Sequence, residues 1–225
     1  MTYLQKFLAA ELQEKEAAGK LALVSFDKYS KRVAEAYQAR PIYEEQYVNS
    51  WKVLMKNLRT MYKRLESKFK FEFTDEDPYT SKEEMEKEVK EKGVLRIYKG
   101  HSDHQVWTPE ENWIFRSVHD ALGHLAGYEK GKGHGFSLRG ELGVYNRQVK
   151  VVSPEARIAL FTEVVGQACV SIATGRFPVQ KICKLHGFDY INVGKIDEKE
   201  FLLNFPEEAK QDLKLAARFA IAYSQ

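Results

Sequence analysis

Long apolar runs, paired cysteines and a large charge of either sign are all missing from this 225-residue chain, and each absence removes a class of protein. No stretch approaches the roughly 18 uninterrupted apolar residues of a membrane-spanning helix, so no membrane partner is expected. The opening MTYLQKFLAAELQEKEAAGK carries acids where a secretory leader needs an unbroken apolar core, which places the expected location in the cytoplasm. The two cysteines, Cys169 and Cys183, form no CxxC pair, which argues against a disulfide framework and a zinc ribbon. Both are expected to be buried free thiols in a reducing compartment. Lys plus Arg number 35 against 32 Asp plus Glu, a net charge of +3, too small for bulk charge to indicate a nucleic-acid partner. Repeats, low-complexity tracts and linkers are lacking too, so residues 1–225 read as a single domain.

What is present suffices for one well-filled core: 44% of residues are hydrophobic and 12% aromatic, in a chain of ordinary domain length. Helical periodicity covers residues 3–18 and 27–39. Tyr43, Tyr47, Trp51, Leu54, Leu58, Met61 and Leu65 then recur every three or four residues, which predicts one long amphipathic helix packed by its aromatic stripe. The period shortens in KFEFT (70–74) and VLRIY (94–98), with the capping box SKEE and a charged helix between them. A small parallel or mixed sheet follows from so short a crossover. TPEE at 108–111 opens another helix with a Thr cap and a Pro in the first turn. SPEARIALFTEVVGQACVSIATG (153–175) starts with a Ser-Pro cap and is apolar nearly all round, so it belongs in the core. PEEAKQDLKLAARFAIAY is a last amphipathic helix. The expected fold is mainly α with a small β element (α+β), made of a helical part (1–69), a strand-helix-strand element (70–107) and a helical core (108–225).

FRSVHDALGH (115–124) sets His119 and His124 five residues apart. At about 100° per residue they point some 140° apart on a regular helix, whereas two ligands on one face sit at i and i+4. Gly123 lacks a Cβ and tolerates distorted backbone, so the helix can loosen, end or form a π-type turn just before His124 and bring the rings together. The plain alternative is an Asp120–His124 hydrogen bond at i, i+4. Glu163, apolar on every side, cannot remain an unpaired buried carboxylate. It needs a Lys or Arg, or a metal ion shared with the two histidines. Two imidazoles and a carboxylate on one side of an octahedral ion form the facial triad of non-haem iron(II) oxygenases. Glu141, in LRGELGV, is expected beside that site or in a salt bridge with Arg139 or Arg147. Gln167, one turn after Glu163, is placed to hold its carboxylate or a metal-bound water.

His119, an acid at Asp120, Gly123-His124 and then Glu163 in LFTEVVGQA, with TPE at 108–110 and ELG at 141–143, is similar to the iron site of the tetrahydropterin-dependent aromatic amino acid hydroxylases. The resemblance covers roughly residues 94–175. It implies that family's catalytic fold, His119, His124 and Glu163 as iron ligands, Asp120 near the pterin and Tyr98 of LRIY stacked on it. The activity implied is hydroxylation of an aromatic or heteroaromatic small molecule by iron(II), with tetrahydropterin as reductant. TPEEN, FRxVHDxxGH and TExxGQ also resemble uncharacterised bacteriophage-encoded proteins, which implies the host cytoplasm and a nucleotide or base as substrate.

Two other functions use the same residues: a zinc hydrolase with Asp120 or Glu141 as base, and a metal-stabilised structural or binding protein without catalysis. Lys99, Arg96, Arg116 and Arg139 are candidates to grip a substrate carboxylate. GKGHG (131–135) lacks the P-loop order and reads as a mobile loop with His134 exposed. His101 and His104 fall in a polar stretch where exposure is the default, and His186 with Asp189 reads as a local cap. Oligomeric state has no signature in the sequence.

Overall fold

The computed structural model describes residues 21–127, 130 and 133–205; the helices expected over 3–18 and near the C-terminus lie outside them. The order of elements is β1 (Ala22–Leu23), α1 (Phe26–Ala39), α2 (Val48–Leu65), β2 (Lys70–Thr74), α3 (Lys82–Lys92), β3 (Val94–Tyr98), α4 (Pro109–His119), α5 (Leu138–Gln148), α6 (Arg157–Leu160), α7 (Gln167–Thr174), β4 (Lys195–Ile196) and α8 (Glu198–Leu203). Among the described residues the molecule is mainly helical with two small sheets. The patterning predicts the helical majority and the β2–β3 pair, whereas the antiparallel β1–β4 pair (Ala22 opposite Ile196) joins distant segments and has no signal in the sequence.

The aromatic stripe does form a buried face: Trp51, Leu54 and Leu58 of α2 are almost fully enclosed against α4 and α6. The helix, however, starts later than its periodicity predicts. Ile42 and Glu44 exchange backbone hydrogen bonds with Ile182, which hold Tyr43 extended and half-exposed. A 3-10 turn over Glu45–Tyr47 then leads into α2. A long-range backbone pairing has overridden a local helical preference.

β2 and β3 pair in parallel, Lys70 opposite Val94 through Thr74 opposite Tyr98. Ser81 caps α3, and Gly93 ends it in the left-handed conformation at φ 67°, which costs glycine little. Glu88 of α3 accepts from Nε and Nη2 of Arg96 (2.8 Å each), from the Tyr79 hydroxyl and from Lys92. These donors, Arg96 first, pull its carboxyl down to about 2 against the opposing effect of burial. The charged face of α3 is thereby fastened to the sheet.

Segment Pro154–Thr174 is long and apolar enough to cross a bilayer, but 67% of its most apolar 18-residue window is buried inside the molecule. It is the central core segment, packed on α1, α2 and α5. Two differences from expectation occur here. The Ser153 side chain makes no cap bond, and the segment is interrupted by a π-turn over Phe161–Gly166. Both cysteines are buried free thiols.

Candidate metal centre

Thr108 and Glu111 close a complete capping box at the start of α4, which fixes where the helix begins and thus which way His119 points. Immediately after His119 the chain enters a π-turn over Asp120–His124, in which Leu125 N–H donates to Asp120 C=O at 2.9 Å. An i to i+5 bond wraps one extra residue into the turn, so a side chain five positions on returns to nearly the same face. The two imidazoles accordingly meet, with ring centroids 5.0 Å apart. Gly123 has an additional reason to be glycine: a Cβ there would overlap the Val144 side chain. Its absence lets the π-turn lie directly on α5, the helix that brings Glu141.

Glu141 is the carboxylate in contact with both rings. Its Oε2 lies 3.2 Å from His119 Nε2 and its Oε1 lies 3.2 Å from His124 Nε2. Of the two placements expected for Glu141 the position beside the histidines is the one observed, and a salt bridge with Arg139 or Arg147 is not made: Arg139 lies over the Phe26 ring, and Arg147 donates to the carbonyls of Gly123 and Ala126. On His124, Nδ1 is 2.8 Å from the His134 carbonyl oxygen. A carbonyl only accepts, so Nδ1 carries hydrogen, and in the neutral ring Nε2 is a bare lone pair. That lone pair faces a carboxylate oxygen, and two acceptors at 3.2 Å require a proton or a metal cation between them. With a proton there, burial lowers the His124 pKa, but the Glu141 hydrogen bond and charge raise it further, leaving it above its usual value. Burial likewise pushes Glu141 up, and the two imidazoles together bring it down to about 2. His119 Nδ1 is buried with no hydrogen-bond partner. Donor atoms of His119, Asp120 and His124 also lie within 4.8 Å of one another, and burial raises the Asp120 pKa despite the neighbouring histidines.

Glu163 sits in the second π-turn and is held differently. Oε1 accepts from Trp51 Nε1–H at 2.7 Å and stands 3.2 Å from His104 Nε2; Oε2 accepts from Gln167 at 2.5 Å. His104 Nδ1 accepts from the backbone N–H groups of Val106 and Trp107, so its hydrogen is on Nε2 and points at Glu163. All three donors are neutral, and the negative charge of Glu163 has no ion-paired Lys or Arg among the described residues. His104, expected in solvent, has a side chain of zero exposure and stacks on Trp107 at 4.5 Å. Nothing periodic in GHSDHQVW marks it, because its position is set by contacts with distant helices. His134, also expected to be exposed, is half-buried: its ring covers Gly143, and its backbone exchanges bonds with His124. Asp189 accepts from the backbone of Ile191 and Asn192, whereas His186 pairs with Glu200 rather than joining that cap.

Two cavities meet at this cluster. The smaller, about 260 Å³, is lined by Phe115, Phe136, Val164 and Ile172 with Glu163 and Gln167. The larger, about 620 Å³, is bounded by Tyr98, His101, Asp120 and His124. His119, Glu141, Arg116, Phe136 and Phe177 belong to the walls of both. Tyr98 thus lies on the wall of the larger chamber, with the Arg116 guanidinium 5.8 Å from its ring centroid. Of the proposed carboxylate grips, Arg116 donates to the carbonyls of Tyr98, Gly100 and His101. Arg96 and Lys99 are paired with Glu88 and Asp75. Comparisons with protein-family models, with curated proteins and with solved structures give no match.

Proposed function

We propose that this chain is a mononuclear non-haem metalloenzyme, an iron(II) monooxygenase that hydroxylates an aromatic or heteroaromatic small molecule such as an amino acid, nucleotide or base. The observation that carries the reading is Glu141 against two imidazoles, one of which has its other nitrogen committed to a backbone carbonyl. A ligating imidazole is typically oriented through its far nitrogen in this way. His119 and His124 are the nitrogen donors, Glu141 is the carboxylate in contact with both, and Glu163 faces the same cavity from the opposite π-turn. Two ligands side by side on an ion at about 2.1 Å stand about 3 Å apart, close to the 3.2 Å from each imidazole to Glu141. Glu163 held only by neutral donors adds a charge that favours a cation in the cavity.

Iron(II) bound there supplies oxygen binding and oxidation of the substrate ring. The chain's own part is positional. Phe115, Phe136, Val164 and Ile172 make the smaller chamber apolar and suited to a flat ring. The larger chamber, within the usual size range of cofactor pockets, suits the reductant, tetrahydropterin by the resemblance, with Tyr98 and Asp120 on its wall. Gln167, His104 and Trp51 hold the Glu163 carboxylate in a fixed orientation in the wall of the smaller chamber.

The test is metal content after purification without added metal, together with oxygen uptake in the presence of tetrahydropterin and aromatic substrates. Stoichiometric iron with substrate-dependent uptake supports the reading. Zinc with oxygen-independent hydrolysis would transfer it to a hydrolase, for which Asp120, its pKa raised by burial, is the fitting base. Bound metal that raises the melting temperature with neither activity would leave a metal-stabilised binding protein.

A further inference from the structure

A net charge of +3 hides an uneven distribution. Between Val48 and Lys70 there are seven Lys and Arg against the single acid Glu66, so this stretch alone carries +6. On α2, Lys52, Lys56, Arg59 and Lys63 follow one another at steps of four, three and four residues, which places all four within a narrow stripe of one helical face. All four are exposed, while Trp51, Leu54, Met55 and Leu58 on the opposite side are buried. The stripe borders a groove of about 380 Å³ whose other wall is Val106, Trp107 and Glu111. Arg59 is paired with Glu111 at 2.9 Å, whereas Lys52, Lys56 and Lys63 make no ion pair among the described residues.

We propose that this face of α2 is a docking surface for the phosphate backbone of a nucleic acid. Eleven residues of helix separate the first and last cation, about 16 Å at a rise of about 1.5 Å. One strand of a duplex presents a phosphate roughly every 3.4 Å along its axis but winds around that axis, so neighbouring phosphates stand farther apart than this rise and a straight line of four cations of this length meets about three to four of them. An anionic membrane fits less well: a helix that settles on lipid needs an apolar face free to enter the interface, and the apolar face of α2 is occupied by the core. The proposal is independent of the metal-centre reading, since the groove and the two chambers share no lining residue.

The probes are a fluorescent 20-nucleotide dT strand and a 20-base-pair duplex, titrated with the full-length protein at 50–200 mM salt. Neutralising three to four phosphates gives a log Kd against log salt slope of about 2.1–2.8 for the single strand and about 2.7–3.6 for the duplex, which corresponds to roughly 20–50-fold and roughly 40–150-fold weaker binding across that range. Lys52→Glu/Lys56→Glu/Lys63→Glu should weaken binding at least about 20-fold at 50 mM salt. Lys31→Glu/Lys87→Glu/Lys199→Glu, the same change of net charge at exposed sites elsewhere, should weaken it less than about 3-fold. If the first triple variant fails to fold, the Lys→Gln triple at the same positions serves in its place. Equal losses in the two sets, no binding of either probe at 50 mM salt, or binding to phosphatidylserine vesicles but to neither probe would each overturn the proposal.

Discussion

Glu141 touches both imidazoles, so Glu141→Gln keeps the shape of the side chain and removes the charge that a cation between them would share. Metal affinity is expected to fall at least about 10–100-fold, measured by metal titration, and His119→Ala and His124→Ala should lose metal outright. Asp120→Asn should retain metal. If Asp120→Asn loses metal while Glu141→Gln keeps it, the ligand set is the adjacent His119, Asp120 and His124. At His104 the expectation is one of stability. His104→Ala removes one of the two donors to Glu163 Oε1 and leaves two backbone N–H groups without their partner, and a buried polar group left unpaired costs about 1–3 kcal/mol. In a chain of this size that is roughly 2–4 °C of melting temperature per kcal/mol, readable by calorimetry. Unchanged stability would mean that water replaces the ring.

The π-turn is an element whose geometry depends on its neighbour. Gly123→Ala should destabilise the protein by about 1–3 kcal/mol, because the added methyl overlaps Val144 in a closely packed region. The Gly123→Ala/Val144→Ala double variant should then be more stable than the sum of the single effects by about 0.5–3 kcal/mol, measured by urea denaturation. Strict additivity would show that backbone strain, not contact with α5, fixes the glycine. The α3–β3 clamp gives an expectation in pH. Glu88 is depressed to about 2 in the fold against about 4.3 in an unfolded chain. Its contribution is therefore present above about pH 4.3 and is lost as pH falls from there towards 2. Arg96→Ala removes the main cause of the depression, so acid unfolding followed by circular dichroism should move to higher pH.

For the whole molecule, a metal that binds only the folded chain stabilises it by about 2.7 kcal/mol when present at 100 times its Kd. Chelation should therefore lower the melting temperature of protein as purified by roughly 5–10 °C, and re-addition of iron(II) should restore it. His119→Ala should melt at the same temperature with and without chelator. A chelator effect of equal size in that variant would place the metal elsewhere in the chain.

The sequence by itself determined most helices, the strand-helix-strand element, the buried cysteines and a histidine spacing that a regular helix cannot bring to one face. These are local matters: caps such as Thr108 and Ser81, the glycine at 93, apolar periods of two and of three to four residues, and five positions between His119 and His124. Only the tertiary structure decided that Tyr43 leaves the helical stripe to pair with Ile182, that Glu141 is the acid against both imidazoles, and that His104 is buried under Glu163. Each of these depends on groups that approach from distant parts of the chain. Glu141 comes from α5, which reaches the π-turn because Gly123 leaves room for Val144, and His104 comes from a loop closed beneath α2 by Trp51 and Trp107. A carboxylate in an apolar stretch announces that it needs a partner, but which partner it meets is set by how the helices pack.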